Sequence, residues 1–198
     1  MNKNTKIYSA IILSGVASGL IFLYFHTKFK ILRVAKALIG QSEIGNNESF
    51  DSENFEKLLS KYGWNTGEAW CMYFAKAVYM ETAPKRNLID IGKTLAGNTN
   101  DSWNRIVKDD NDIWKVSEFA KIGDLVFWQM YSNGVPKAVM GNYVGGHVGI
   151  VSKVGFNDFK SIEGNTGGVT GIMVDENEHT FDYSKESGYR LLGFARLK

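Results

Sequence analysis

The chain has 198 residues, 44% of them hydrophobic, which suits one globular domain with a real core plus an appendage and excludes wholesale disorder. The formal net charge is only +2 and the folded part holds no dense basic cluster, so no nucleic-acid partner is expected. One cysteine cannot form an internal disulfide, and the redox compartment stays open.

The first element is apolar. Ile7 to Phe25, IYSAIILSGVASGLIFLYF, carries no charge, follows Lys3 and Lys6 and precedes Lys28, Lys30 and Arg33. It is long enough to span a bilayer. A cleaved signal peptide is the rival reading, with Ala17-Ser18-Gly19 as cleavage residues, but the apolar run continues through LIFLYF and favours an uncleaved anchor. The expected organisation is a short cytoplasmic tail (1–6), a single transmembrane signal anchor (7–25), a juxtamembrane linker (26–31) and one folded domain (32–198). Positive charge is heavier after the span than before it, which taken literally would hold the domain in the cytoplasm.

Within the domain, LRVAKALIG reads as a short helix from about Leu32 to Gly40, followed by the polar loop QSEIGNNESFDSEN. FEKLLSKYG reads as a second helix, closed by Gly63. The stretch GEAWCMYFAKAVYM, from Gly67 to Met80, holds the sole cysteine, Cys71. Cys71, Phe74, Ala75 and Val78 recur at helical spacing. Asn65 and Thr66 are capping types and Glu68 suits the positive end of the helix dipole, so Cys71 falls in or near the first turn. A thiol there is either a small apolar core residue or a nucleophile whose pKa drops from about 8.5 to roughly 3.5–7.5 if a cation helps. The helix stops before Pro84. Residues 86–115 are mixed, with a helical turn or two in DSWNRIVK.

After that the period becomes strand-like. GDLVFWQM (Gly123 to Met130), GGHVGIVSKV (Gly145 to Val154) and FKSIEGN (Phe159 to Asn165) read as strands, the last two joined by the turn GFND. GIMV and YRLLGFARL read as closing strands. Helices first and an antiparallel meander after them make an α+β domain.

A partner for Cys71 must come from three histidines. His26 sits at the membrane flank, and His179 lies in DENEHT, read as a solvated loop. His147 opens a strand behind Gly145 and Gly146, which remove side chains where another group could approach the ring. Glu163 and Asn165, two residues apart on the next strand, point to one face, and either side chain could fix the imidazole. IGKTLAG lacks the glycine that begins a phosphate loop, GNTGGVTG reads as a turn, and no His/Cys cluster has zinc spacing; no cofactor or metal is expected. Trp70, Trp103, Trp114 and Trp128 fit core positions better than a sugar-stacking platform.

The pieces AWCMYFAKAV, IGDLVFW, GGHVGIV, SIEGNT and LLGFARL, in that order over about Leu32 to Lys198, resemble a CHAP domain, the papain-like, NlpC-related cysteine/histidine amidohydrolase–peptidase module. The resemblance implies a hydrolase of amide bonds in bacterial peptidoglycan, either an N-acetylmuramoyl-L-alanine amidase or an endopeptidase acting on stem peptides or cross-bridges. It places the nucleophile on Cys71, the base on His147 and the orienting groups on Glu163 and Asn165. It also implies a domain outside the cytoplasm, which the charge bias opposes but which long translocated domains permit. The segment QMYSNGVPKAVMGNYVGG is longer than the family pattern leads one to expect, and is read as a loop or hairpin bordering the groove. No Asp-rich calcium loop is present. The competing readings are a non-catalytic wall-binding protein on the same fold and a cysteine acyltransferase.

Overall fold

Apolar residues on β8 (Gly146–Val154) alternate: Val148 and Ile150 turn to one side, His147 and Gly149 to the other. That alternation, repeated on its neighbours, builds a sheet with two distinct faces. The structure is a computed structural model and describes residues 27–109, 112–140, 143–168, 171–184 and 188–198. The apolar segment Ile7–Phe25 lies outside the described residues; among those described, no helix is long and apolar enough to cross a membrane.

The helices come first. Helix α1 covers 27–37, a start before the expected Leu32, with Ile31 and Ala35 buried one turn apart. A small hairpin follows, β1 (Glu43–Ile44) with β2 (Ser49–Phe50). Helix α2 (Glu53–Lys61) is capped by Ser52, whose side chain accepts from the Phe55 N–H, and buries Phe55 and Leu59. Gly63 closes it with φ +103°, a left-handed turn that side chains resist. Helix α3 (Cys71–Thr82) is apolar nearly all round and runs through the middle of the core. The mixed segment is more ordered than expected: a 3₁₀ turn (Lys85–Asn87), α4 (Leu88–Thr94) and α5 (Thr99–Val107), the last capped by Asn98 on the Asp101 N–H.

The remaining strands are β3 (Trp114–Ser117), β4 (Leu125–Ser132), β5 (Val135–Pro136), β6 (Ala138–Met140), β7 (Tyr143–Val144), β9 (Asp158–Gly168), β10 (Gly171–Thr180) and β11 (Gly188–Leu197). The main sheet runs β10-β9-β8-β4-β11-β3, antiparallel throughout, with β5 folded back on β4. The long insertion before His147 thus becomes β5 and the separate β6–β7 hairpin. DENEHT is not a solvated loop but the body of β10, because its residues pair in register with Asp158 to Glu163.

One sheet face carries Leu125, Phe127, Val148, Ile150, Ile162 and Ala195 and meets the helices in the larger core. The other carries Val126, Trp128, Val151, Phe159, Leu191 and Phe194 in a smaller cluster. Each large apolar side chain so buried contributes about 1.5–3 kcal/mol. Trp70, Trp114 and Trp128 are buried and Trp103 is partly buried against the larger core, in line with their reading as core residues. Gly164 brings helix and sheet together. A Cβ there would lie 2.6 Å from the Trp70 ring and 2.7 Å from Phe74, so only glycine lets α3 lie this close to β9.

Candidate active site

Cys71 is the first residue of α3, and the residue before it, Trp70, offers no side-chain cap. The capping residues expected upstream do other work. Asn65 and Glu68 close a turn on each other: the Glu68 N–H donates to the Asn65 carbonyl (3.1 Å), and the Asn65 N–H to Glu68 Oε2 (3.3 Å). The unpaired N–H groups of the first helical turn are therefore left for what sits at the helix end. Trp70 is fixed by its indole N–H on Glu43 Oε2 at 2.7 Å. The sulfur lies 3.7 Å from Thr99 Oγ1, at the start of α5.

His147 lies directly across from Trp128 on β4, their ring centroids 5.8 Å apart. Its Nε2 stands 2.9 Å from Glu163 Oε2, which leaves Nδ1 for its hydrogen bond with the Cys71 side chain. Two glycines make this approach possible. A Cβ on Gly149 would stand 2.7 Å from Glu163 Cγ, so the glutamate crosses β8 over a bare backbone to reach the ring. A Cβ on Gly146 would come within 3.2 Å of Thr99 and 3.1 Å of Asn100, so this glycine admits the start of α5 beside the thiol.

The electrostatics follow from burial against charge. Burial pushes the Cys71 thiol up, but the hydrogen bond and charge of His147 outweigh it, with smaller help from Thr99 and the Met72 N–H; the net shift is downward. Burial likewise depresses the His147 imidazolium, yet Cys71 and Glu163 raise it to about 10. Burial raises Glu163, and the two histidines that bond it bring it down to about 2. The arrangement favours a thiolate, an imidazolium and a carboxylate in series.

The structure separates the two residues of the E-x-N pair. Glu163 bonds His147. Asn165 takes a left-handed backbone conformation (φ +55°), and its Nδ2 donates to Asn47 Oδ1 at 3.3 Å in the β1–β2 turn. Four groups of this cluster are not assigned to it by the sequence, His179 because DENEHT reads as a solvated loop. His179, on β10, places Nε2 2.5 Å from Glu163 Oε1. Asn177 donates to Glu163 Oε2 at 3.3 Å, and Thr99 meets the sulfur. Tyr189, on β11, has its ring 5.9 Å from that of His147, and its phenol is raised first by burial and then by the charge on Cys71. The alternation N-E-H in Asn177-Glu178-His179 was the available signal for two of them.

A cavity of about 600 Å³ opens beside His147, lined among others by Trp128, Glu163, Asn165, His179 and Tyr189. It leaves room for a polar ligand next to His147. Among the described residues no group of three or more His, Cys, Asp or Glu side chains is placed to hold a metal ion. Chemically, the set offers a nucleophile, a proton carrier and a carboxylate that orients the carrier.

The CHAP domain family matches the chain over residues 61–165, a span that includes Cys71, His147, Glu163 and Asn165. No curated protein matches. Among solved structures, the one described as the crystal structure of Ly7917 is similar at 17% identity and a TM-score of 0.47, over 86% of this chain and 62% of that one. The chain thus spans less than two thirds of that protein.

Proposed function

The chain belongs to the CHAP domain family, whose members are typically amidases or peptidases of peptidoglycan, and we propose that it hydrolyses amide bonds of the bacterial wall through a cysteine acyl-enzyme. The observation that supports this best is the continuous chain Cys71–His147–Glu163, with the sulfur on the first residue of a helix. On this reading the Cys71 thiolate attacks the amide carbonyl carbon. The negative charge that develops on oxygen meets the Cys71 backbone N–H at the helix start. The C–N bond breaks as His147 gives its Nδ1 proton to the leaving amine. Water then attacks the thioester, losing a proton to His147, and the thiolate departs. Glu163 holds the ring by Nε2 throughout, and Asn165 shapes the cavity wall.

The proposed substrate is a stem peptide or cross-bridge, with the bond to N-acetylmuramic acid (amidase) or a peptide bond (endopeptidase) as the target. We place the chain in the cytoplasmic membrane through Ile7–Phe25, amino terminus inside and domain outside, because peptidoglycan lies beyond that membrane. The test is mass spectrometry of fragments released by the purified chain from isolated sacculi. A new alanine amino terminus identifies an amidase, and a cut inside the stem or cross-bridge an endopeptidase. Transfer of the acyl group to an added amine in place of water identifies a transferase. Binding without any release, by a chain whose Cys71 alkylates normally, overturns the hydrolase. Alkaline phosphatase fused after Lys198 reports the topology, and an inactive fusion places the domain inside.

A further inference from the structure

Glu163 is held by more than the histidine that the proposed reaction uses. Its Oε2 accepts from His147 Nε2 (2.9 Å) and Asn177 Nδ2 (3.3 Å). Its Oε1 accepts from Ser161 Oγ (2.5 Å) and His179 Nε2 (2.5 Å). A carboxylate has about four lone-pair sites, and here each has a donor. The side chain is almost wholly buried, so its orientation is set by these four bonds and not by water. Two of them come from imidazoles on opposite oxygens, one from each flanking strand, β8 and β10. The ring of His179 packs against both Trp128 (centroids 4.8 Å) and Phe159 (5.4 Å), and it lines the same cavity as His147.

We infer that His179 is a positioning residue of this site: by donating Nε2–H to Oε1 it turns the Glu163 carboxylate so that Oε2 stays on His147. The inference rests on the cysteine-hydrolase reading above. Its physical content is a lever. Without the His179 donor, Oε1 keeps only Ser161, and the carboxylate can rotate about its last bond. Oε2 then leaves Nε2 for part of the time, the imidazolium is less well stabilised, and the thiolate it balances is less favoured. The alternative role is a purely structural one, in which His179 satisfies a buried oxygen and packs two rings. The titratable groups that bond the carboxylate are His147 from β8 and His179 from β10; Asp175 of β10 lies directly across from Glu163 in register, and Tyr189 from β11 faces the thiolate.

The two roles part in a donor series. His179→Phe keeps an aromatic ring against Trp128 and Phe159 but has no side-chain N–H; His179→Gln keeps an N–H donor without the ring. Iodoacetamide alkylation of Cys71 against pH is measured beside muropeptide release in the full chain. Positioning predicts that His179→Phe lowers kcat by about 10–100-fold with KM within about twofold, and moves the alkylation midpoint upward by about one pH unit. His179→Gln should recover most of both. A His179→Phe protein with the wild-type alkylation profile and kcat, altered only in melting temperature, overturns the inference. Should the phenylalanine variant fail to fold, His179→Leu removes the donor with a smaller side chain and is judged by the same two outcomes. A wild-type chain whose Cys71 does not alkylate at neutral pH sinks the cysteine-hydrolase reading itself, a result separate from any effect of His179.

Discussion

Two buried carboxylates stand on this sheet, and they differ in what they hold. Asp124, just before β4, takes two bonds from Arg196, Nε at 3.0 Å to Oδ1 and Nη2 at 2.6 Å to Oδ2, and a third from Lys28 Nζ at 3.3 Å. Glu163 takes bonds from two imidazoles. A guanidinium keeps its charge at any pH a protein meets, so the Asp124 centre is a fixed clamp tying α1 and the start of β4 to β11. An imidazole gives up its proton and takes it back, so the Glu163 centre can move a proton while keeping its geometry. The acid is the same kind of group; the partner's proton chemistry divides structure from reactivity.

Substitutions at the two centres should therefore fail in different ways. The largest effect belongs to the reactive pair that Glu163 supports. Cys71→Ala or His147→Ala should lower muropeptide release at least about a thousandfold, roughly 4 kcal/mol of transition-state stabilisation, in a domain that still folds. Equal release by Cys71→Ser and wild type would end the mechanism.

Asp124→Ala should do the reverse. It strips the carboxylate from a buried guanidinium and should cost about 3–5 kcal/mol of stability in urea unfolding. The folded fraction should still alkylate at Cys71 at the wild-type rate. Loss of thiol reactivity without loss of stability would erase the distinction between the centres.

Glu163→Gln should fall between the two, reducing kcat about ten- to a thousandfold, because it orients the base without reacting. Hydrolysis should also decline as pH passes about 10, where His147 loses the proton it owes the leaving amine. The sign follows from the raised value: the imidazolium persists through the ordinary histidine range and is lost only as pH passes the shifted value of about 10. Alkylation of Cys71 should hold up over the same range, since its thiolate persists. A parallel fall of both would show that the limb comes from unfolding.

The smallest effect is expected at Asn165. Its side chain bonds Asn47 and not the ring, so Asn165→Ala should cost about tenfold or less, chiefly in KM. A loss matching that of Glu163→Gln would mean that Asn165 also reaches the base in the working enzyme.

The sequence by itself determined several of the elements and named most residues of the candidate site. Period-3.6 runs marked α2 and α3, period-2 runs marked β4, β8 and β9, and Cys71 was legible near a helix start because it opens the helical spacing Cys71, Phe74, Ala75, Val78. His147 and the E-x-N pair were legible because alternation alone says which side chains share a face. Which of Glu163 and Asn165 meets the ring was decided by tertiary structure. It depends on the bare backbone of Gly149 and on the left-handed turn at Asn165, both set by how β8 and β9 register. The place of His179 was decided there too. A short polar run reads as solvated loop until an edge pairing with β9 draws it into the sheet, and that pairing is a long-range choice no local pattern encodes. Thr99 came to the sulfur for the same reason: Gly146 leaves space, and only the packed helix α5 fills it.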